Sequence, residues 1–143
     1  MQDRPTILEL LDAVRGFLEK DAVEALDGTA KFHARVAANV LAIVMREIEL
    51  EPLQLAAEWE RLDQLLGVET APATPDELRD AVRARTEALC ARIRAGEADA
   101  GELRAAVLAH VRATVREKLA IANPKLRGQG TAAGPPAAGN ARC

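Results

Sequence analysis

An all-α bundle of about five helices is the fold this sequence predicts, and three observations carry the prediction. Apolar residues recur at helical spacing along most of the chain. Caps and breakers cut that pattern into pieces of helix length. Aromatic residues are only 2% of the sequence, namely Phe17, Phe32 and Trp59. That is too few for a β-sandwich, whose strands favour aromatic and β-branched side chains. A chain of 143 residues fits one domain with a true core and needs neither disulfides nor metal to hold it.

The first helix opens on Thr6-Ile-Leu-Glu9, a capping-box pattern. Ile7, Leu10, Leu11, Val14, Phe17 and Leu18 then share one face. Asp21 falls within the same arc, so the helix is expected to bend or end near Lys20. Asp27-Gly28 marks a turn.

The second helix, about Ala30 to Leu50, holds the most apolar run of the chain. At 100° per residue its apolar side chains cover most of the circumference. Only a narrow stripe is polar: Arg35, Asn39, Arg46 and Glu49, padded by Ala42. Such a helix is expected in the middle of the domain, packed on several sides. Pro52 cannot continue it and fits the first turn of a third helix. That helix carries Leu55, Trp59, Leu62 and Leu66 and stops at Gly67.

Thr74-Pro75-Asp76-Glu77 is the strongest helix start in the chain, with a cap, a proline at the first helical position and acids against the macrodipole. The fourth helix runs through Leu78, Val82, Leu89 and Ile93 to Gly96. The fifth begins near Asp99, uses Leu103, Val107, Val111, Val115 and Leu119, and ends at Asn123-Pro124. From about Arg127 onward the chain is rich in Gly, Ala and Pro and has nothing to bury. A helical bundle domain over 1–126 and a disordered, flexible tail over 127–143 are expected.

Composition narrows the function. The net charge of −3 offers nothing global to phosphate backbones, and single-stranded nucleic acid needs aromatic platforms that this chain lacks. Nucleic acid is therefore not an expected partner. The longest apolar stretch, Val36 to Met45, contains Asn39 and is too short to span a bilayer, so no membrane partner is expected either. Cys90 and Cys143 read as free thiols in a reducing compartment, and a cytoplasmic location follows as the default.

The familiar catalytic motifs are missing: no Gly-rich phosphate loop, no His-Glu-x-x-His and no Cys-x-x-Cys. The sequence also contains no Ser, which excludes a serine nucleophile. No cofactor is implied and no catalytic residue can be assigned.

The remaining candidates are polar residues in unusual places. His33 and Glu47 both project into the apolar arc of the second helix, where a carboxylate must be paired, protonated or at the core edge. One reading is an acid or base with a shifted pKa. The other is a structural ion pair of Glu47 with Arg85 or Lys118, which also project into apolar arcs. Arg35, Asn39 and Arg46 lie along one line of the helix. Two guanidinium groups with an amide between them can hold a carboxylate or phosphate, and a solvated face is the alternative. His110 sits at the edge of the fifth helix's apolar arc. His33, His110 and Glu47 have no local metal-ligand spacing, so no metal site is assigned.

Several phrases together carry a resemblance. They are Arg4-Pro5-Thr6 with Glu9-Leu-Leu, the run from Phe32 to Glu49, the segment Ala91 to Glu97, and Val111 to Lys125. Nearly the whole chain except the tail resembles an uncharacterised bacterial family, catalogued as a domain of unknown function. Its members are typically encoded near acyl-CoA dehydrogenases and aminoglycoside-phosphotransferase-like kinases. The resemblance implies, by association, a role in acyl-CoA or hydroxy-acid catabolism and supplies no catalytic residues. If the family pattern marks a site, its positions here are His33, Arg35, Asn39, Arg46 and Glu47.

Two functions follow. The first is a non-enzymatic accessory protein that binds a kinase, a dehydrogenase or a second copy of itself through an apolar helix face. The second is a small-molecule site for an acidic or CoA-linked ligand at Arg35, Asn39 and Arg46, with acid–base chemistry by His33 and Glu47 as its extension.

Overall fold

A computed structural model of the chain describes residues 3–128. It is all-α, and among the described residues there is no strand. Four helices form the body: α1 (Ile7–Phe17), α2 (Gly28–Leu66), α3 (Pro75–Arg94) and α4 (Gly101–Ala122). A short 3₁₀ turn, Pro124–Gly128, follows α4. The remaining residues of the expected tail, 129–143, lie outside the described residues.

Both capping boxes form as the sequence requires. In α1 the Glu9 backbone N–H donates to Thr6 Oγ1 at 3.2 Å, and the Thr6 N–H donates back to the Glu9 carboxylate at 2.6 Å. In α3 the same exchange joins Thr74 and Glu77, with Pro75 at the first helical position. The bend expected near Lys20 is a π-helical turn, Leu18–Ala22, followed by one further turn, Val23–Ala25. Widening the helix there moves Asp21 off the apolar arc, and its side chain is exposed.

The second and third expected helices are one. α2 runs 39 residues straight through Pro52, a length of roughly 58 Å. Proline removes one intrahelical hydrogen bond and crowds the carbonyl four residues earlier. Here that carbonyl belongs to Ile48, and both Ile48 and Pro52 are exposed, so water can satisfy it. Helix α4 also splints the two sides of the proline. Arg46 Nε donates to the Ile121 carbonyl at 2.7 Å, and the Gln54 amide donates to the Glu117 carbonyl at 3.2 Å. Packing on both sides of Pro52 thus overrides its local preference for a break.

Gly67 ends α2 at φ +102°, a conformation closed to most L residues. The connection that follows spans eight residues, Gly67 to Thr74. Extended, they reach roughly 26 Å, enough to climb back alongside α2 to Pro52. Helix α3 therefore runs parallel to α2. The contacts keep that order: Arg79 meets Glu51, Arg85 meets Asp63, and Arg92 reaches the Leu65 carbonyl. Helix α4 returns antiparallel, with Glu117 held by both terminal nitrogens of Arg61.

The core lies among the C-terminal half of α2, α3 and α4. It is built from Trp59, Leu62, Leu65, Val82, Leu89 and Val107, and Leu62 is 0% exposed. The sequence reading placed the core on the run from Phe32 to Leu50. The structure corrects this: in that run only Ala34 and Ala38 are buried, while Phe32, Val36, Val40 and Ile48 are exposed. The reason is the number of neighbours. Helix α1 with its π turn packs along the N-terminal half of α2, which α4 reaches only at its end through Arg46, whereas α3 and α4 both pack on the C-terminal half.

Candidate functional site

The polar stripe of α2 is divided in use. Arg35 and Asn39 are exposed and line a hollow of about 300 Å³ with Glu19, Val23, Ala38 and Ala42. Arg46 is not part of it. Its guanidinium caps the end of α4 through the Ile121 carbonyl, satisfying one of the acceptors a helix C-terminus leaves unpaired.

His33 and Glu47 are not buried as expected; both are exposed. The His33 ring leans on Phe32, centroids 5.8 Å apart and tilted by 54°. Glu47 faces a separate hollow with Lys118, Thr114 and Glu58. Fourteen residues of unbroken helix separate His33 from Glu47, roughly 21 Å along the axis. The two therefore do not share a cavity.

Arg85 is the buried cation, but its partner is Asp63, not Glu47. It also donates to the Leu62 carbonyl at 3.2 Å and to the Gly67 carbonyl, and its guanidinium lies 4.5 Å from the centroid of the Trp59 ring. One side chain thus closes the C-terminus of α2 and holds the turn that follows. Lys118 is exposed and takes no part in a buried pair. Sequence reasoning missed Asp63 because no local spacing joins it to Arg85. The parallel return of α3 brings them together, and the length of the Gly67–Thr74 connection is the one sequence signal of that return.

A second feature escaped the sequence. Helices α3 and α4 pack on α2 but stand apart from each other, leaving a groove of about 540 Å³. Leu55 of α2 contributes to its floor, and Val82, Leu89, Ile93, Val111 and Val115 contribute apolar lining. His110 also lines it and is only 5% exposed; its Nδ1 has no hydrogen-bond partner among the described residues. Burial pushes the imidazole below its ordinary value and the nearby Arg61 adds to the effect, while Glu58 and Glu117 oppose it. At the upper edge Arg79 binds the Glu51 carboxylate through Nε at 2.7 Å and Nη2 at 2.8 Å. That hydrogen bonding holds Glu51 below its ordinary value against the opposing effect of burial.

An unpaired apolar surface lies on the hairpin of α1 and the N-terminal half of α2. The two-residue link Leu26–Asp27 makes these helices antiparallel neighbours. Buried and half-buried apolar residues at helical spacing mark the packing line: Leu8 and Leu11 on α1, Leu18 at the start of the π turn, and Ala34, Ala38, Leu41 and Met45 on α2. Glu19, Val23, Arg35 and Asn39 lie on one flank of that line and enclose the polar hollow. At 100° per residue, Ile7, Leu10, Val14 and Phe17 of α1 fall on the other flank, and so do Val40, Val44 and Ile48 of α2. All seven are exposed. One side of the hairpin is thus polar, and the other is mainly apolar with His33 and Glu47 among its exposed residues.

Among the described residues no group of three or more His, Cys, Asp or Glu side chains is placed to hold a metal ion. No described helix is long and apolar enough to cross a membrane. Fold and surfaces of the described residues together define a small helical bundle with an open groove between α3 and α4 and a mainly apolar hairpin face. By sequence the chain belongs to the family described as Domain of unknown function (DUF6285), whose model matches residues 24–126. No curated protein and no solved structure matches it.

Proposed function

We propose that this chain is a non-catalytic helical interaction module, with the C-terminal three-helix core as scaffold and the α1–α2 hairpin as the binding element. The exposed apolar flank of the hairpin carries this reading. Seven large apolar side chains gathered on one side of two helices make a surface of the kind that marks a protein interaction site. The separation of His33 from Glu47 along one helix also favours binding over acid–base chemistry. The family resemblance supplies candidate partners in acyl-CoA or hydroxy-acid catabolism: an acyl-CoA dehydrogenase or a small-molecule kinase of a bacterial cytoplasm. A second reading rests on Arg35 and Asn39 lining one hollow: a small acidic ligand held by guanidinium and amide.

Native mass spectrometry of the tagged protein, gently purified from its own host, separates the two. A stoichiometric added protein mass that disappears in Val40→Asp supports the module. A retained small mass that disappears in Arg35→Ala, with no protein bound, overturns it in favour of the ligand site.

A further inference from the structure

We infer that the partner on the hairpin face is a second copy of this chain, joined about a two-fold axis so that two hairpins form a four-helix bundle. This inference rests on the interaction-module reading and names its partner.

The first argument is area. Ile7, Leu10, Val14, Phe17, Val40, Val44 and Ile48 are 36–66% exposed. Together they present roughly 600 Å² per copy, so the contact of two such faces buries on the order of 1,200 Å² before any polar rim is counted, which reaches the range of stable specific interfaces.

The second argument is shape. The α1 stripe from Ile7 to Phe17 and the α2 stripe from Val40 to Ile48 are about 15 and 12 Å long. They lie side by side on antiparallel helices, and two such layers stacked face to face make the commonest helical bundle. A two-fold contact needs one patch that complements itself, and two matched stripes of aliphatic and Phe side chains meet that need.

The third argument is charge. The ionic groups within α1, Glu9, Asp12 and Arg15, lie off the apolar flank, and Arg15 is engaged with Asp12 and Glu19. On α2, His33 and Glu47 are exposed within about 20° of Val40, so the face carries one imidazole and one carboxylate among its apolar side chains, not the block of like charge that would select an oppositely charged protein. The chain's own remaining sequence is a poor cover as well, since residues 129–143 contain no Val, Ile, Leu, Met, Phe or Trp.

The test uses the full chain. Size-exclusion chromatography with light scattering is expected to give twice the mass of one chain at micromolar concentration. Val14→Glu and Val40→Glu are each expected to weaken self-association about 100-fold or more. Circular dichroism and the fluorescence of Trp59, the only tryptophan and far from the hairpin face, should remain unchanged in both. In a background of Cys90→Ala and Cys143→Ala, Val14→Cys paired with Val40→Cys should cross-link between copies, whereas Val111→Cys in the groove should not.

A wild-type monomer, or a dimer indifferent to both Glu variants, overturns the inference. So does a dimer that cross-links only through Val111→Cys. A monomer that binds a different chain through Val14 and Val40 overturns the second copy but leaves the interaction module standing. A monomer with no protein partner overturns both.

Discussion

The two halves of α2 are built on opposite principles. Residues Phe32 to Ile48 include Phe32, Val36, Val40, Leu41, Ile43, Val44 and Met45, yet bury only Ala34 and Ala38. The half from Leu50 to Leu66 alternates apolar residues with Glu51, Glu58, Glu60, Arg61 and Asp63, yet contributes Trp59, Leu62 and Leu65 to the core. Apolar content sets how much a helix gains from burial. Whether the gain is realised inside one chain depends on how many elements reach it. The less apolar half packs on both α3 and α4, whereas the more apolar half has α1 and its π turn along its length and α4 only at its end, near Arg46. Its surplus of apolar surface is consistent with a partner outside the chain.

This contrast can be broken at defined points, and the largest effect belongs to Arg85. Arg85→Met strands the Asp63 carboxylate and the carbonyls of Leu62 and Gly67, and should cost about 3–5 kcal/mol in denaturant unfolding. A loss below about 1 kcal/mol would show that the α2 terminus does not depend on it.

Next comes a matched pair of truncations. Leu62→Ala, at a fully buried site, should cost about 2–5 kcal/mol. Val40→Ala, at a half-exposed one, should cost less than about 1 kcal/mol when measured dilute enough for the chain to be monomeric. Equal costs would mean that the halves do not differ.

Pro52 joins the halves. Pro52→Ala restores the missing donor to Ile48 in an otherwise unbroken helix and should stabilise the fold by about 1–3 kcal/mol. Destabilisation would instead mark the proline as shaping the contact with α4.

A pH titration reaches the core half through His110. Burial lowers its pKa in the folded chain, so the unfolded chain takes up the proton first as acid is added. The stability from His110 is complete above about pH 6.5 and is lost as pH falls from there through the folded value. His110→Gln should flatten the unfolding midpoint between about pH 6.5 and 5. The contribution of Glu51, whose pKa is lowered by Arg79, should persist until pH falls below its ordinary range near 4.5. A wild-type midpoint already flat above pH 5 would exclude the His110 effect.

The smallest effect is expected at Arg35. It is exposed and has no side-chain partner among the described residues, so Arg35→Ala should change stability by no more than about 0.5 kcal/mol. A larger loss would give the polar hollow a structural role.

Much of this molecule is legible without coordinates. Thr6 with Glu9 and Thr74-Pro75 with Glu77 predict their helix starts because a cap uses only atoms within one turn. The irregularity near Lys20 is legible for the same reason, since Asp21 conflicts with an arc defined by its near neighbours. The candidate site was legible only as a set of unusual residues. Arg35 and Asn39 do line a common hollow, but Arg46 caps α4 and Arg85 pairs with Asp63, because both act across helices whose order the sequence leaves open.

Short-range physics set what could be read from the chain alone: helices without strands, their caps, the apolar face of α1 and the unusually apolar run in the N-terminal half of α2. Three features waited for the tertiary structure. Pro52 stays inside a helix because α4 grips both sides of it. Helix α3 runs parallel to α2 because an eight-residue connection carries the chain back. The most apolar run in the chain lies on the surface because the neighbours able to cover it pack elsewhere. Burial is a property of the pair, and periodicity describes only one member of it.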